Sequence, residues 1–280
     1  MCEFETPNFV YYSHIAVIIL SLITGFSILF KNRKHPMNRN AFYFILIIAL
    51  WTLDDLLWWN IHDVRINMFV SRTSVMSDLI FPFFLFFSYH FTHTKITLKK
   101  KIIFLVPYFI LIILAFTKYN FEVYDVTDCN YAHSKIMYAY LFFFEFFYVV
   151  WATYILAKYY RDPINPIITR WQTRILILAI WLFVAWGVIY ELIDRTSFLS
   201  DNYIDTTPHF IIGNLFFVSL IAFAIIKRDL FEFDSTFLDW FTVFLWSVVF
   251  AGLFIFATSP FAIILFAVAY VALMVIFFRM

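Results

Sequence analysis

The chain is divided into apolar runs of about 20 residues, and this feature limits most strongly what it can fold into. A helix of that length crosses the hydrocarbon core of a bilayer, which is about 30 Å thick. The composition agrees, because 64% of the residues are hydrophobic and 14% are charged. Soluble domains average about 45–50% apolar and about 25% charged residues. The sequence therefore predicts an all-α polytopic membrane protein in contact with the lipid bilayer.

The apolar runs predict a bundle of about nine transmembrane helices. Short polar or charged stretches separate them, and they lie at about residues 10–30, 41–60, 68–92, 102–118, 136–160, 171–194, 208–227, 237–257 and 260–279. The last two form a tight hairpin turned by Ser259-Pro260. Since the loops between the runs are short, we expect no separate soluble domain.

The distribution of Lys and Arg between the loops predicts the orientation. The first, third, fifth and seventh loops are basic, at 31–39, 95–101, 158–170 and 227–228. The N-terminal segment and the alternate loops are acidic. Because basic loops stay on the cytoplasmic side, we expect the N-terminus outside and the C-terminus inside, in the cell inner (plasma) membrane. The basic residues lie in separate loops and the net charge is +1, so nothing indicates nucleic-acid binding.

The two cysteines, Cys2 and Cys129, both lie on the predicted outer side. That compartment permits disulfide bonds. A Cys2–Cys129 bridge would hold the N-terminus over the longest outer loop. Two free thiols are the alternative interpretation.

Charged side chains within the second and third apolar runs are the main indication of a functional site. An ionised side chain at the centre of a membrane helix costs roughly 2.5–3.5 kcal/mol on insertion scales. Such residues usually face the bundle interior and find partners there. The candidate ligand-binding residues share a predicted position in the outer halves of their helices: Asp54, Asp55, Arg72, Asp78, Glu145, Glu191, His14 and Trp51.

This concentration of charge on one side predicts a polar cavity open to the outer face. We expect Arg72 to pair with Asp54 or Asp55. Three interpretations stay open: a pocket for a small-molecule or lipid ligand or for protons, an ion-paired plug that fixes helix packing, and an ion pathway.

The sequence carries little that indicates catalysis. His90 and His93 are three residues apart, a spacing able to hold a metal, and His35 lies on the same predicted side. A pair at the level of the lipid headgroups is the simpler interpretation. None of the HExxH, P-loop, GxSxG or kinase glycine-loop motifs occurs in the sequence. We therefore expect no enzyme activity, no resident metal and no cofactor.

Several segments, in order along the chain, resemble one known family. Gly25–Trp59, with its basic loop and Trp-containing helix, resembles the start of the seven-transmembrane N-terminal sensor region of bacterial histidine kinases. Phe81–Phe86 resembles the Pro-Phe-Phe-Leu segment of that region's third helix. Arg170–Arg174, which includes Gln172, resembles the entry to its sixth helix. Pro208–Asp234 is similar to the last sensor helix and its exit, so the resemblance covers about Val10–Asp234.

The resemblance implies a receptor of a two-component system that senses an outer-face or membrane-embedded signal and passes it inward. It also implies two parts, a seven-helix sensor-like domain at 1–234 and an additional transmembrane hairpin at 235–280. No phospho-acceptor box or ATP-binding domain follows the hairpin in the sequence. We therefore expect a non-catalytic sensor module, or a piece of a longer kinase, whose output depends on a cytoplasmic or membrane signalling partner.

The residues are also compatible with two other functions. In a small proton- or cation-coupled transporter or channel, the same carboxylates would carry the ion, although the sequence shows no inverted repeat. In a structural or assembly subunit, the charged side chains would only stabilise the packing of the helices.

Overall fold

The computed structural model describes residues 8–124, 129, 131–195, 213–214 and 217–221. The chain divides into two compact units, Met1–Ile177 and Leu178–Met280. The domain boundary that the sequence predicts at residue 234 lies outside the described residues.

The described part of the chain is built mainly of helices. In chain order they are α1 (Asn8–Lys31), α2 (Pro36–Asn60), α3 (Val64–Thr73), a 3₁₀ segment (Ser74–Leu79), α4 (Ile80–Phe91), α5 (Leu98–Ala115), α6 (Lys135–Arg161) and α7 (Ile167–Arg195). Two short strands, β1 (Phe121–Tyr124) and β2 (Tyr131–His133), lie between α5 and α6.

Polar side chains in the loops fix where several helices begin. The Asp63 carboxylate accepts hydrogen bonds from the first backbone N–H groups of α3. The hydroxyl oxygens of Thr97 and Ser134 accept from the first turns of α5 and α6 in the same way. Pro36 begins α2, where its missing N–H costs no hydrogen bond. The helix ends therefore follow from ordinary N-capping residues.

The third apolar run folds as one 28-residue span, Val64–Phe91, but it is not a continuous α-helix. Its middle six residues, Ser74–Leu79, form a 3₁₀ helix. Pro82 explains the break, because it has no N–H for the carbonyl of Asp78 and its ring clashes with that carbonyl in an α-helix. The effect of Pro82 is therefore a change of helix type one turn earlier.

The core of the first unit is aromatic. In this unit α2 packs against α1 and α4, and α4 packs against α6. Phe44 of α2 lies edge-on to Phe84 and Phe87 of α4, with ring centroids 6.0 and 5.4 Å apart. Ten of the twelve residues of α4 are buried. Helix α4 is thus the central element of the unit.

Five helical segments in the described part of the chain are long and apolar enough to cross a membrane. They coincide with the predicted first, second, third, fifth and sixth spans, so a polytopic α-helical membrane protein is confirmed. The predicted fourth span corresponds to α5, whose first turn carries three lysines. The last three predicted spans lie outside the described residues, apart from the helical residues 213–214 and 217–221. Nine helices and the orientation remain predictions.

Between α5 and α6, the chain forms a small antiparallel hairpin that the sequence analysis treats only as a polar loop. Phe121 lies opposite His133 and Tyr124 opposite Tyr131, with a bulge between Phe121 and Val123. Cys129, in the segment that joins the strands, is buried and disulfide-bonded. Cys2 lies outside the described residues, so the Cys2–Cys129 pairing stays a prediction.

In the second unit, two helical segments approach closely. The rings of Phe183 and Phe217 are 4.7 Å apart, and both side chains are buried. A Cβ on Gly213 would lie 2.4 Å from Cδ1 of Trp186, closer than any side chain tolerates. This position therefore requires glycine because of the neighbouring indole.

Candidate functional site

The predicted site residues of the second and third spans meet where the third span changes helix type. We call this region the polar junction and define it as Ser71–Asp78 together with Asp54 and Asp55 of α2. Contacts of the 3₁₀ segment with α2, α4 and α5 hold it in place. A 3₁₀ stretch within a longer helix often marks a hinge.

Hydroxyl side chains stabilise the irregular backbone of the polar junction. Ser71 donates to the carbonyl of Asn67, Thr73 to Val70, Ser74 to Ser71, and Ser77 to Ser74, over 2.6–3.0 Å. The bonds of Thr73, Ser74 and Ser77 reach three residues back, as in a 3₁₀ helix. Such bonds offer carbonyls a partner that the α-helix does not supply, and they bend helices.

His14 and Asp55 form an ion pair between α1 and α2. His14 Nε2 lies 2.7 Å from Asp55 Oδ2, and His14 is completely buried whereas Asp55 is 26% exposed. A distance this short is that of a direct hydrogen bond between the imidazole and the carboxylate. The pair links α1 to the polar junction.

Asp54 faces the third span. The single hydroxyl hydrogen of Thr73 is shared between the Val70 carbonyl (2.9 Å) and Asp54 Oδ1 (3.4 Å), and the second distance is long for a hydroxyl donor. Trp51, Asp54, Asp55 and Trp58 recur at helical spacing on one face of α2, and all four are half-buried. This face therefore presents two carboxylates between two indoles.

Arg72 has partners that the sequence analysis did not expect. Its Nη1 donates to the carbonyls of Ala115 (3.0 Å) and Thr117 (3.3 Å) at the end of α5. Its guanidinium lies over the ring of Phe121, 5.3 Å from the centroid. The described contacts of Arg72 thus involve carbonyls and an aromatic ring rather than Asp54 or Asp55. The expected pairing with these aspartates is wrong because Arg72 lies at the C-terminal end of α3, beside the end of α5.

Asp78 is buried, with 8% of its surface exposed, in the 3₁₀ segment. The Tyr108 hydroxyl donates to the sulfur of Met76 over 3.1 Å. The polar junction therefore contacts α5 through Met76.

The β-hairpin closes the end of the polar junction. Tyr124 donates through its hydroxyl to Asn67 Oδ1 (3.1 Å), and His133 Nδ1 donates to Asn120 Oδ1 (2.9 Å). Burial lowers the pKa of His133, and its bond to Asn120 opposes that shift. Burial also raises the pKa of Tyr124. Asn120 in turn donates to the Ala115 carbonyl, the same oxygen that Arg72 contacts.

Two further candidates lie elsewhere. Glu145 is half-buried near the middle of α6. Glu191 lies in the last turn of α7, in the second unit, and its side chain is outside the described part. The structure thus brings His14, Asp54, Asp55 and the 3₁₀ segment together, and the participation of Glu191 stays a prediction.

The sequence analysis missed Asn67, Thr73 and Asn120. A signal for Thr73 was present, because four hydroxyl residues occur within Ser71–Ser77. Asn67 and Asn120 carried no such signal, since their role depends on contacts between distant parts of the chain.

Chemically, the polar junction offers carboxylates, hydroxyls and a tryptophan face at membrane depth. No group of three metal-ligating side chains occurs among the described residues. The arrangement suits recognition of a polar ligand or a proton rather than metal chemistry.

We compared the sequence with protein families, curated proteins and solved structures. The family model for the N-terminal 7TM region of histidine kinase matches residues 13–234. No curated protein and no solved structure matches the chain. The family match covers most of the chain and all the described helices except the first five residues of α1, in agreement with the apolar spans. The chain belongs to the family of N-terminal seven-transmembrane regions of histidine kinases.

Proposed function

We propose that the chain is a non-catalytic, receptor-like sensor module of the inner (plasma) membrane. It detects an outer-face or membrane-embedded signal at the polar junction and relays it by helix movement to a cytoplasmic partner. The family supports the sensor function. The observation that carries the choice of site is the 3₁₀ segment Ser74–Leu79 inside a membrane span.

This segment can couple ligand contacts to movement because the two helix types differ in length and twist. A 3₁₀ helix rises about 2.0 Å per residue and an α-helix about 1.5 Å, so six residues that change type alter the span by ~3 Å. The turn per residue changes from about 120° to about 100°, so the same change rotates α3 against α4 by ~120°. A local change thus produces a movement large enough to reorganise neighbouring helices.

The bond between Thr73 and Asp54 is the contact that a signal would replace. At 3.4 Å it is weak, and it joins the 3₁₀ segment to α2. A small molecule, a lipid headgroup or a proton that occupies Asp54 would release Thr73. The ligand must bind one form of the segment more tightly than the other, since otherwise it shifts no equilibrium.

The output follows the prediction from the sequence. Movement passes through the predicted seventh span, the Lys227–Asp234 loop and the final hairpin to a signalling partner. Crosslinking in native membranes, gentle purification and mass spectrometry test this step. Recovery of a protein with a kinase, cyclase or regulator domain supports the relay, and recovery of the chain alone contradicts it.

Thiol labelling tests the site itself. Met76 is 46% exposed in the 3₁₀ segment, so Met76→Cys introduces a reporter there, with the unmodified chain as background. We expect Thr73→Val to change the labelling rate of this cysteine several-fold. Thr52→Val is the matched control, because the Thr52 hydroxyl bonds only within α2. Equal rates in the two variants would remove Thr73 and Asp54 from the mechanism.

A flux assay separates the sensor from the rival transporter. In proteoliposomes, a proton- or cation-coupled transporter would lose flux on Asp55→Asn. The sensor predicts no flux in either protein. Flux that depends on Asp55 would overturn the sensor proposal.

A further inference from the structure

A groove lies at the C-terminal end of the third span, away from the polar junction. Its volume is about 510 Å³, within the range of about 300–1,000 Å³ of small-molecule sites. It is formed by the start of α2, the end of α4 and the segment that leads into α5: His35, Pro36, Met37, His90, His93, Thr94, Lys95, Ile96 and Thr97.

The two chain segments that border the groove are basic. The sequence has no acidic residue between Glu5 and Asp54 or between Asp78 and Glu122. Both loops that border the groove lie within these stretches, and they carry Arg33, Lys34, Arg39, Lys95 and Lys99–Lys101. The groove therefore attracts anions, and neither loop supplies a carboxylate that would compete with them.

His93 adopts a backbone conformation that favours glycine. Its φ is 52°, and it directly follows the C-cap residue of α4. The N–H of His93 donates to the His90 carbonyl (3.2 Å), and the N–H of Thr94 donates to the Tyr89 carbonyl (2.9 Å). These two bonds form a Schellman motif, in which this position is usually glycine. An imidazole is thus held at the groove where glycine would suit the backbone better.

His90 brings a second imidazole to the groove. Its Nε2 atom is buried and has no hydrogen-bond partner among the described residues. A buried donor or acceptor without a partner is unfavourable, so this atom is suited to contact a ligand in the groove.

Two helices direct their N-termini at the groove. His35 is the N-cap residue of α2 and Thr97 that of α5, and both line it. Helix N-termini carry partial positive charge and stabilise anions. The Thr97 oxygen accepts from the Lys100 N–H (3.3 Å), and its own hydroxyl hydrogen can be donated to a ligand.

We propose that this groove binds a phosphate group, carried by a lipid headgroup or by a free phosphate ion. Lys95 supplies the charge, and His90, His93 and Thr97 donate hydrogen bonds to the phosphate oxygens. Basic pockets between transmembrane helices are known to hold anionic headgroups. A metal ion does not fit, because no group of three metal-ligating side chains forms among the described residues. The proposal is independent of the sensor function.

The experiment uses the full chain and two phosphate sources. Binding of radiolabelled inorganic phosphate is measured by equilibrium dialysis in phosphatidylcholine nanodiscs. Retention of phosphatidic acid is measured by native mass spectrometry of the detergent-purified chain. The test variant is His93→Gly with Lys95→Gln, since glycine preserves the Schellman motif. The control is Lys99→Gln with Lys100→Gln, which removes the same kind of charge from the first turn of α5 but not from the groove lining.

We expect the test variant to lose about tenfold in affinity for one of the two probes, while the control changes by less than about twofold. Loss with phosphatidic acid alone identifies a lipid headgroup site, and loss with inorganic phosphate identifies a site for the free ion. The proposal is overturned if neither probe binds the wild type. It is also overturned if test and control variants lose affinity equally, because the attraction is then only general loop charge. Thermal unfolding of the test variant checks that it is folded.

Discussion

The two halves of the third span differ in helix type, in burial and in the kind of contact that they make. Its second half, α4, is α-helical, and ten of its twelve residues are buried, mostly aromatic. In the first half, only three of ten residues in α3 and two of six in the 3₁₀ segment are buried. The first half bonds through side chains to other elements, whereas α4 packs through rings. The second half, α4, is therefore suited to stay fixed, and the first half is suited to change conformation.

The contrast explains where a membrane protein can place polar groups. Packing around α4 stabilises the unit mainly through ring contacts, since dispersion contacts add up in a dense interior, and one hydrogen bond, from Trp151 Nε1 to the Tyr89 hydroxyl (3.0 Å), joins α4 to α6. The polar junction can then depart from α-helical geometry, because its carbonyls find hydroxyl partners. The predictions below alter each half in turn.

The largest effect is expected from Phe87→Ala in α4. Phe87 is completely buried and contacts the rings of Phe44, Phe84 and Phe91. Its truncation removes packing and leaves a cavity, so we expect the free energy of unfolding to fall by about 3 kcal/mol. Unfolding of the detergent-solubilised chain measures it. The control Phe143→Ala, at a ring 69% exposed, should cost far less. Equal losses would contradict a central role for α4.

A smaller effect is expected from breaking the His14–Asp55 pair. Either Asp55→Asn or His14→Gln leaves a polar partner incompletely bonded, so each should lower the free energy of unfolding by about 1–3 kcal/mol. The double variant should cost less than the sum of the two. This double-mutant cycle, measured by thermal unfolding, gives the coupling energy. Additive losses would show that the ion pair does not contribute to stability.

The smallest effect concerns the β-hairpin beside Arg72. Because burial lowers the pKa of His133, the unfolded chain binds a proton more readily than the folded one. Stability is therefore full above about pH 6.5, the usual histidine pKa, and falls as the pH drops below it. We expect the melting temperature to decrease over that range by a few degrees at most. His133→Gln should remove this part of the slope, whereas His62→Gln should retain it. An unchanged slope in His133→Gln would assign the pH dependence to other groups.

The apolar spans could be predicted because run length alone sets them. The sequence also indicated Asp54 and Asp55 as candidate site residues, since a charged side chain within a membrane span is unfavourable and often has a functional role. The break at Ser74–Leu79 was not predicted, although Pro82 and four hydroxyl side chains lie close to it in the sequence. These features depend on residues close together in the sequence, which a pattern can show.

Other features depend on which helix ends meet, and the sequence could not show them. Arg72 bonds to the carbonyls of Ala115 and Thr117, more than 40 residues away in the chain. Nothing in the local pattern distinguishes these partners from a nearby carboxylate. The groove likewise forms only because the starts of α2 and α5 meet the end of α4. His90 and His93 were identified by their spacing, but their common surface with His35 required the fold.

The central claim is that the 3₁₀ segment can change to an α-helix, and pulsed electron-spin resonance tests it most directly. Spin labels at Ile66→Cys in α3 and Lys99→Cys in α5 report the length of the third span, since both residues are exposed. Pro82→Ala restores an N–H for the Asp78 carbonyl and should favour the α-helical form. We predict that the distance between the labels shortens by ~3 Å in this variant. An unchanged distance in a folded Pro82→Ala protein would contradict the account.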